Sequence, residues 1–262
     1  MKIVVLGSGS RGNVTYIKGS SAEILIDAGI SLREFKRRME DSGINNYKID
    51  AIFITHEHSD HISDLCSITN HTDAKFYISE KSFYSITPRI FRDVKGLKHE
   101  FISPFDSVKI NDMKITFIEL SHDSSECLGL IIEEDGKKVV YIADTGYVSE
   151  EYRDYLVDAN CYLFEANHDP LMEMASNRPQ YLKNRVLGDI GHLSNEDSAV
   201  CLSYLMTKRT TNVIFIHRSH DCNSLECLKE TVFKVFETYS LDVTKISFDY
   251  AEQDFPTRVI EV

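Results

Sequence analysis

Short, nearly continuous apolar runs alternate along the chain with stretches whose apolar residues return every three or four positions. The first pattern belongs to buried strands, the second to helices with one covered face. In the first half, MKIVVLG (1–7), AEILIDA (22–28), AIFIT (51–55) and KFYIS (75–79) read as strands. A helix starts at Ser31, with Glu34 three residues on and Gly43 just past its end, a capping box and a C′ glycine. A second helix is expected near 61–70, whereas the polar and aromatic stretch 81–104 shows no period and carries no assignment. Next come VKINDMKITFIEL (108–120) and LGLIIEEDGKKVVYIAD (128–144), the latter a hairpin by its Asp135-Gly136 pair. The second half adds strands CYLFE and NVIFIH, and helices beginning near Ser194 (with Asp197) and near Asn223 (with Glu226). In the last helix Leu225, Leu228, Val232, Phe236 and Tyr239 fall on one apolar face. No repeat or linker interrupts the alternation, so residues 1–262 read as a single α/β domain with mixed sheets.

Composition narrows the classes. With 29 Lys+Arg against 41 Asp+Glu, the net charge of −12 repels phosphate on average and excludes a uniformly basic coat for duplex DNA. It leaves room for an enzyme that brings positive charge as metal ions. No stretch approaches the ~20 apolar residues that span a bilayer, so no membrane association is expected. The start, MKIVVLGSGSRG, is too short in its apolar run for a signal peptide, and the 6 Cys form no CxxC pair. These features predict a cytoplasmic protein with free thiols.

One regularity organises the chemistry. Strand after strand ends on an ionisable residue: Asp27, His56, Asp144, Glu165 and His217, with His122 one step beyond FIEL-Ser121. Strand ends that deliver such side chains to one rim are how α/β scaffolds build sites. The densest signal is His56-Glu57-His58-Ser59-Asp60-His61. Period-two spacing sets His56 and His58 on one side of an extended segment, within reach of one ion. Asp60 and His61 lie where the chain enters a helix and can reach a second. Imidazoles with a carboxylate suit Zn²⁺ or Mn²⁺.

At this run the chain resembles the metallo-β-lactamase superfamily, in the order Asp27, His56–His61, His122, Asp144, His217. The resemblance implies a four-layer αββα sandwich with two mixed β-sheets and a pair of divalent ions, Zn²⁺ or Mn²⁺. His56, His58 and His122 would hold the first ion, and Asp60, His61 and His217 the second. Asp144 would bridge them, and Asp27 would orient the motif loop. Four further segments narrow the resemblance: Ser8–Asn13, Glu165–Asp169, Gly191–Asp197 and His217–Asn223. Together they are similar to the YycJ/WalJ (VicX) group, related to ribonuclease Z and small phosphodiesterases and described as 5′ to 3′ DNA exonucleases. The group implies nucleic acid as partner, DNA rather than RNA, with Glu165 and His192 assisting departure of the leaving oxygen. Its pattern has Leu at 218 and Arg near 220; here Arg218 and His220 stand instead, so Arg218 becomes the candidate phosphate contact. His168, His220 and Asn223 are further candidate substrate contacts.

The resulting expectation is a dinuclear phosphodiesterase in which two ions activate a shared water, Asp60 orients it and His192 protonates the alcohol. The same ligands would serve a thioester or lactone hydrolase of the glyoxalase II type, or a metal-bearing protein without turnover. The Glu165/His192 pair separates the first reading from these, because acyl transfer from a good leaving group needs no such acid. Arg89, Arg92, Lys95 and Lys98, and Arg178, Lys183 and Arg185, are candidate cations for tracking a phosphate backbone, whereas Arg33, Lys36, Arg37 and Arg38 read as a solvated helix face. The sequence says nothing of oligomeric state.

Overall fold

The computed structural model describes residues 1–262. The first half runs β1 (Lys2–Gly7), β2 (Val14–Lys18), β3 (Glu23–Ile26), α1 (Leu32–Asp41), β4 (Ala51–Phe53), α2 (Ser59–Ile62), α3 (Leu65–Thr72) and β5 (Lys75–Ser79). Then come α4 (Glu80–Ser85), α5 (Pro88–Val94) and β6 (His99–Ile102), so the unassigned stretch 81–104 is two helices and an edge strand. Helices this short show no readable period; Ser79 caps α4 through its side chain and Pro88 opens α5. The second half opens with β7 (Ser107–Ile110), β8 (Met113–Leu120), β9 (Cys127–Glu134), β10 (Lys137–Ile142), α6 (Arg153–Leu156) and β11 (Cys161–Glu165). It closes with α7 (Pro170–Ala175), α8 (Gln180–Val186), α9 (Asn195–Leu205), β12 (Asn212–Ile216), α10 (Leu225–Thr238), β13 (Ser247–Tyr250) and β14 (Ile260–Glu261).

The strands form two seven-stranded sheets, ordered β14-β1-β2-β3-β4-β5-β6 and β13-β12-β11-β10-β9-β8-β7. Each is antiparallel on one side and parallel on the other: β3 to β6 run parallel in the first, β10 to β13 in the second. In each sheet, then, the carboxyl ends of the parallel strands share one edge, and the ionisable residues that terminate them are brought into line. The β9–β10 hairpin turns at Asp135 (φ 51°) and Gly136 (φ 69°), the two left-handed residues that its Asp-Gly pair calls for.

Apolar residues fill three layers. Between the sheets, Ile24 and Phe53 meet Ile115, Leu130, Leu163 and Ile214. Outside the first sheet, Leu25 and Ile52 pack on Phe35 and Met39 of α1 and on Ile68 of α3. Outside the second, Val140 and Phe215 pack on Leu202 of α9 and on Val232 and Phe236 of α10. Alternate residues of each strand thus face opposite layers, and the architecture is the four-layer αββα sandwich with mixed sheets.

Several boundaries differ from the sequence pattern. The expected helix at 61–70 is two, α2 and α3, and α10 is capped by Ser224, whose hydroxyl accepts from the Cys227 N–H, rather than by Asn223. Tyr239 lies past the end of α10 and is exposed; Val235 completes the buried face instead. Arg38 is not on a solvated face: it is buried and donates to the carbonyls of Leu6 and Gln253. The cysteines are free thiols, and no helix is long and apolar enough to cross a membrane.

Candidate metal centre

The parallel edges of both sheets converge on one cluster. From the first sheet, Asp27 follows β3 and His56 lies just beyond β4; from the second, His122 follows β8, Asp144 follows β10, Glu165 ends β11 and His217 follows β12. Three of these residues turn the chain in the left-handed region, Asp27 at φ 63°, Asp144 at 55° and His217 at 54°. That conformation costs non-glycine residues of order 1–3 kcal/mol. Its occurrence at three strand ends of one site marks turns that the surrounding structure imposes so that each side chain folds back over the sheet edge.

The rings of His56, His58 and His122 form a triangle with centroids 4.5, 5.1 and 5.2 Å apart, and their nitrogens can converge on one ion. The Nδ1 of His122 donates to the Gly191 carbonyl (3.1 Å), leaving Nε2 free to ligate. Around Asp144 a second set gathers: its Oδ2 lies 2.7 Å from His61 Nε2 and 3.7 Å from His56 Nε2, its Oδ1 3.0 Å from His217 Nε2. Asp60 Oδ2 is 3.5 Å from His61 Nε2. Asp144 therefore stands between the two sets, where a bridging carboxylate would.

Support for these side chains comes from below. Asp27, fully buried, accepts from the Thr55 N–H (2.9 Å) and hydroxyl (3.0 Å) with Oδ1 and binds His61 Nδ1 (2.8 Å) with Oδ2. The same Thr55 hydroxyl lies 3.0 Å from His56 Nδ1, so one short side chain braces ligands of both sets. Asn13 Nδ2 reaches Asp60 Oδ2 at 3.2 Å and His61 Nε2 at 3.0 Å. Gly29, after β3, packs so closely against this site that a Cβ there would collide with the Asp60 carbonyl oxygen and crowd the Asn13 nitrogen. Thr55 gives no signal in the sequence because it precedes the motif and carries no charge; Asn13 stands out only as the end of the Ser8–Asn13 segment.

Electrostatics fit a cation. Burial and then the His61 charge press His56 well below its ordinary range, which keeps it neutral and able to donate a lone pair. Burial opposes charge on His61 too, but Asp27, Asp60 and Asp144 hold it well above the usual imidazole range. A proton thus sits where three carboxylates call for positive charge. His56 Nε2 and Asp144 Oδ1 are buried without a hydrogen-bond partner. Buried polar atoms left in that state cost about 1–3 kcal/mol each, a penalty that ligation removes. The residues present fit a divalent metal centre.

Beside this cluster, Glu165, fully buried, accepts from the Thr145 N–H (2.9 Å) with Oε2 and binds His192 Nδ1 (2.7 Å) with Oε1. His192 Nδ1 also lies 3.3 Å from Asp144 Oδ1. Burial lowers the affinity of His192 for its proton, but Glu165 and Asp144 outweigh it and push the pKa up to about 10. His192 sits two residues before the Ser194 cap of α9, as its sequence context predicts.

The remaining candidates are placed differently. His168 is buried, its backbone paired with Ser194 and its ring Nδ1 without a hydrogen-bond partner. Asn223 is buried, and its amide is spent on Ala166, Asn167 and Asn195. His220 is exposed beside Asp221 (3.1 Å), and Arg218 is half-buried. Of the cations before His192, Arg178 is paired with Glu173 and Asp221, and Lys183 is buried on the carbonyls of Met174 and Ser176. Arg185 grips Asp123, whose Oδ1 is 3.3 Å from His122 Nε2. Arg178 and Lys183 are thus committed to neighbours in the fold, whereas Arg185 is paired with Asp123 but remains exposed.

Residues 22–217 match the family described as the beta-lactamase superfamily domain. Together with the fold and the His/Asp cluster, this match identifies the chain as a member of the metallo-β-lactamase superfamily. Within it, the chain is similar to Exodeoxyribonuclease YycJ of Bacillus anthracis, 31% identical over 257 residues, covering 97% of each. It is also 33% identical over 239 residues to Exodeoxyribonuclease WalJ of Streptococcus pneumoniae, covering 88% of this chain and 86% of that one. Among solved structures, Zn²⁺-bound PqqB from Methylobacterium extorquens superposes with a TM-score of 0.72 at 14% identity, covering 100% of both chains; it shares the fold.

Proposed function

We propose that the whole chain acts as one hydrolytic unit, a dinuclear metal-dependent phosphodiesterase that degrades DNA from the 5′ end. The observation that carries this reading is the Glu165–His192 pair, 2.7 Å between atoms, set against Asp144 at the junction of the two ligand sets. His56, His58 and His122 would hold one ion, Asp60, His61 and His217 the other, with Asp144 shared. Ions so held would lower the pKa of a water and offset charge on the phosphate oxygens. Asp60 has its side chain 22% exposed, the most accessible carboxylate of the ligand set, and is placed to accept a proton from the attacking water. His192 donates Nδ1–H to Glu165, so Nε2 is the atom that gives its proton to the leaving alkoxide as the P–O bond breaks. A thioester expels a thiolate that needs no such donor, which favours the phosphodiester over the acyl alternative. The similarity to exodeoxyribonucleases over nearly the full length of both chains supports DNA as the polymer.

The test is to incubate the metal-loaded protein with DNA labelled at the 5′ or the 3′ end, single- and double-stranded, beside Asp60→Ala. Release of the 5′ label as mononucleotide by wild type alone is expected. Full activity in Asp60→Ala, or no cleavage of any phosphodiester by wild type, would overturn the proposal.

A further inference from the structure

Three asparagines of the chain, Asn167, Asn195 and Asn223, are 7%, 0% and 4% exposed, and their side-chain amides bond to no ligating atom of either set. Their hydrogen bonds join the three segments that carry Glu165, His192 and His217. Asn223 Nδ2 faces the carbonyls of Ala166 (3.2 Å) and Asn167 (3.0 Å) and Oδ1 of Asn195 (2.8 Å). Two backbone carbonyls are met only by N–H, so the amide of Asn223 has one orientation, and its Oδ1 accepts from Asn195 Nδ2 at 3.0 Å. Asn167 Nδ2 donates to the His217 carbonyl at 2.7 Å. The backbone completes the net: Asn167 N–H to Leu193 O (2.9 Å), Asn195 N–H to His168 O (2.9 Å) and Ser219 N–H to Asn167 O (2.8 Å). His217 is thus gripped on both sides in its left-handed conformation, its N–H by the Ser8 hydroxyl (2.7 Å) and its carbonyl by Asn167.

We infer that Asn167, Asn195 and Asn223 are positioning residues, an amide clamp that holds the Glu165–His192 pair in register with His217 across Asp144. This inference rests on the proposed phosphodiesterase reading and refines it. Uncharged amides suit such a clamp, since each both donates and accepts: one residue ties two segments, and no further charge is added beside Asp144. Beyond Glu165 only single backbone bonds link the chain to the 193–195 segment, and the three amides add the side-chain ties that fix the His192 segment relative to Glu165. Displacement of a catalytic group by about 1 Å costs roughly 10²-fold in rate.

Asn223→Asp is nearly isosteric but turns oxygens toward two carbonyls and Asn195 Oδ1. Asn195→Asp is gentler, because the carboxylate it introduces would still accept from Asn223 Nδ2; lost are the reverse bond and the long contact to Cys227 Sγ. The readout is the ratio of kcat on oligodeoxynucleotide to kcat on bis(p-nitrophenyl) phosphate, whose leaving group needs no proton, with bound metal measured alongside. For Asn223→Asp the expected result is a roughly 10²-fold fall on DNA against a change within about threefold on the nitrophenyl ester, at unchanged metal content. Asn195→Asp should show the same asymmetry at smaller size, and it keeps the test alive should Asn223→Asp not fold. Parallel losses on both substrates, or activity as in wild type on DNA, would overturn the clamp. A wild type that cleaves neither substrate would instead remove the phosphodiesterase reading.

Discussion

The two sides of the site are built by different means. On the first sheet, Asp27, Thr55 and the run His56–His61 assemble locally: one loop supplies four of the candidate ligands, and one carboxylate with one hydroxyl braces them from beneath. On the second sheet, Asp144, Glu165, His192 and His217 come from separate strand ends and one loop, and are tied together by amides and backbone bonds. The local side is rigid by proximity and gathers charge for the metals. The distributed side depends on tertiary contacts; it carries further candidate ligands and, in the proposed mechanism, the donor of the leaving group's proton. Turnover should therefore fail without loss of metal when the Glu165–His192 pair alone is damaged, whereas metal retention should fail when the bracing beneath the first side is damaged.

The sharpest break is expected at Asp60, which belongs to the first side yet faces solvent. Asp60→Ala should lower DNA cleavage by roughly 10³-fold with thermal unfolding little changed. On the second side, His192→Ala should lower cleavage by about 10²–10⁴-fold while bound metal, measured by atomic emission, stays at the wild-type level. Bracing the first side from beneath, Asp27→Asn should weaken metal affinity by about 10–100-fold, read in competition with a chromogenic chelator. If Asp27→Asn kept full affinity while His192→Ala lost metal, the division of labour between the sides would be wrong. The smallest effect is on stability. With free ion at 100 times its dissociation constant, the loaded protein should be more stable than the chelated one by about 2.7 kcal/mol, seen as a higher Tm.

The local side was also the legible one. His56–His61 announces itself because four ligand-type residues fall within six positions, and the strand-end rule found Asp27, Asp144, Glu165 and His217 because apolar runs stop visibly before them. Mixed sheets followed from the alternation of runs and helices, their division into two from the superfamily resemblance, and the shared edge of each sheet's parallel strands explains why the strand ends meet. What escaped depends on partners distant in sequence. Strand β2 is preceded by a glycine-bearing loop and carries Thr and Tyr, so its burial shows only once β1 and β3 flank it. Asn223 has the composition of a helix cap or a polar contact; only the backbone carbonyls of Ala166 and Asn167 reveal its use. The aromatic stretch 81–104 hid an edge strand because His99 stacks on Phe83 and Phe76 instead of alternating with apolar neighbours.

If the two sides work as proposed, turnover requires that both ions be in place. Calorimetric titration of Mn²⁺ or Zn²⁺ into chelated protein, with DNA cleavage assayed at each addition, tests this most directly. Saturation is predicted at about two ions per chain, with activity rising only as the second binds. Saturation at one ion, or full cleavage before the second is bound, would contradict it.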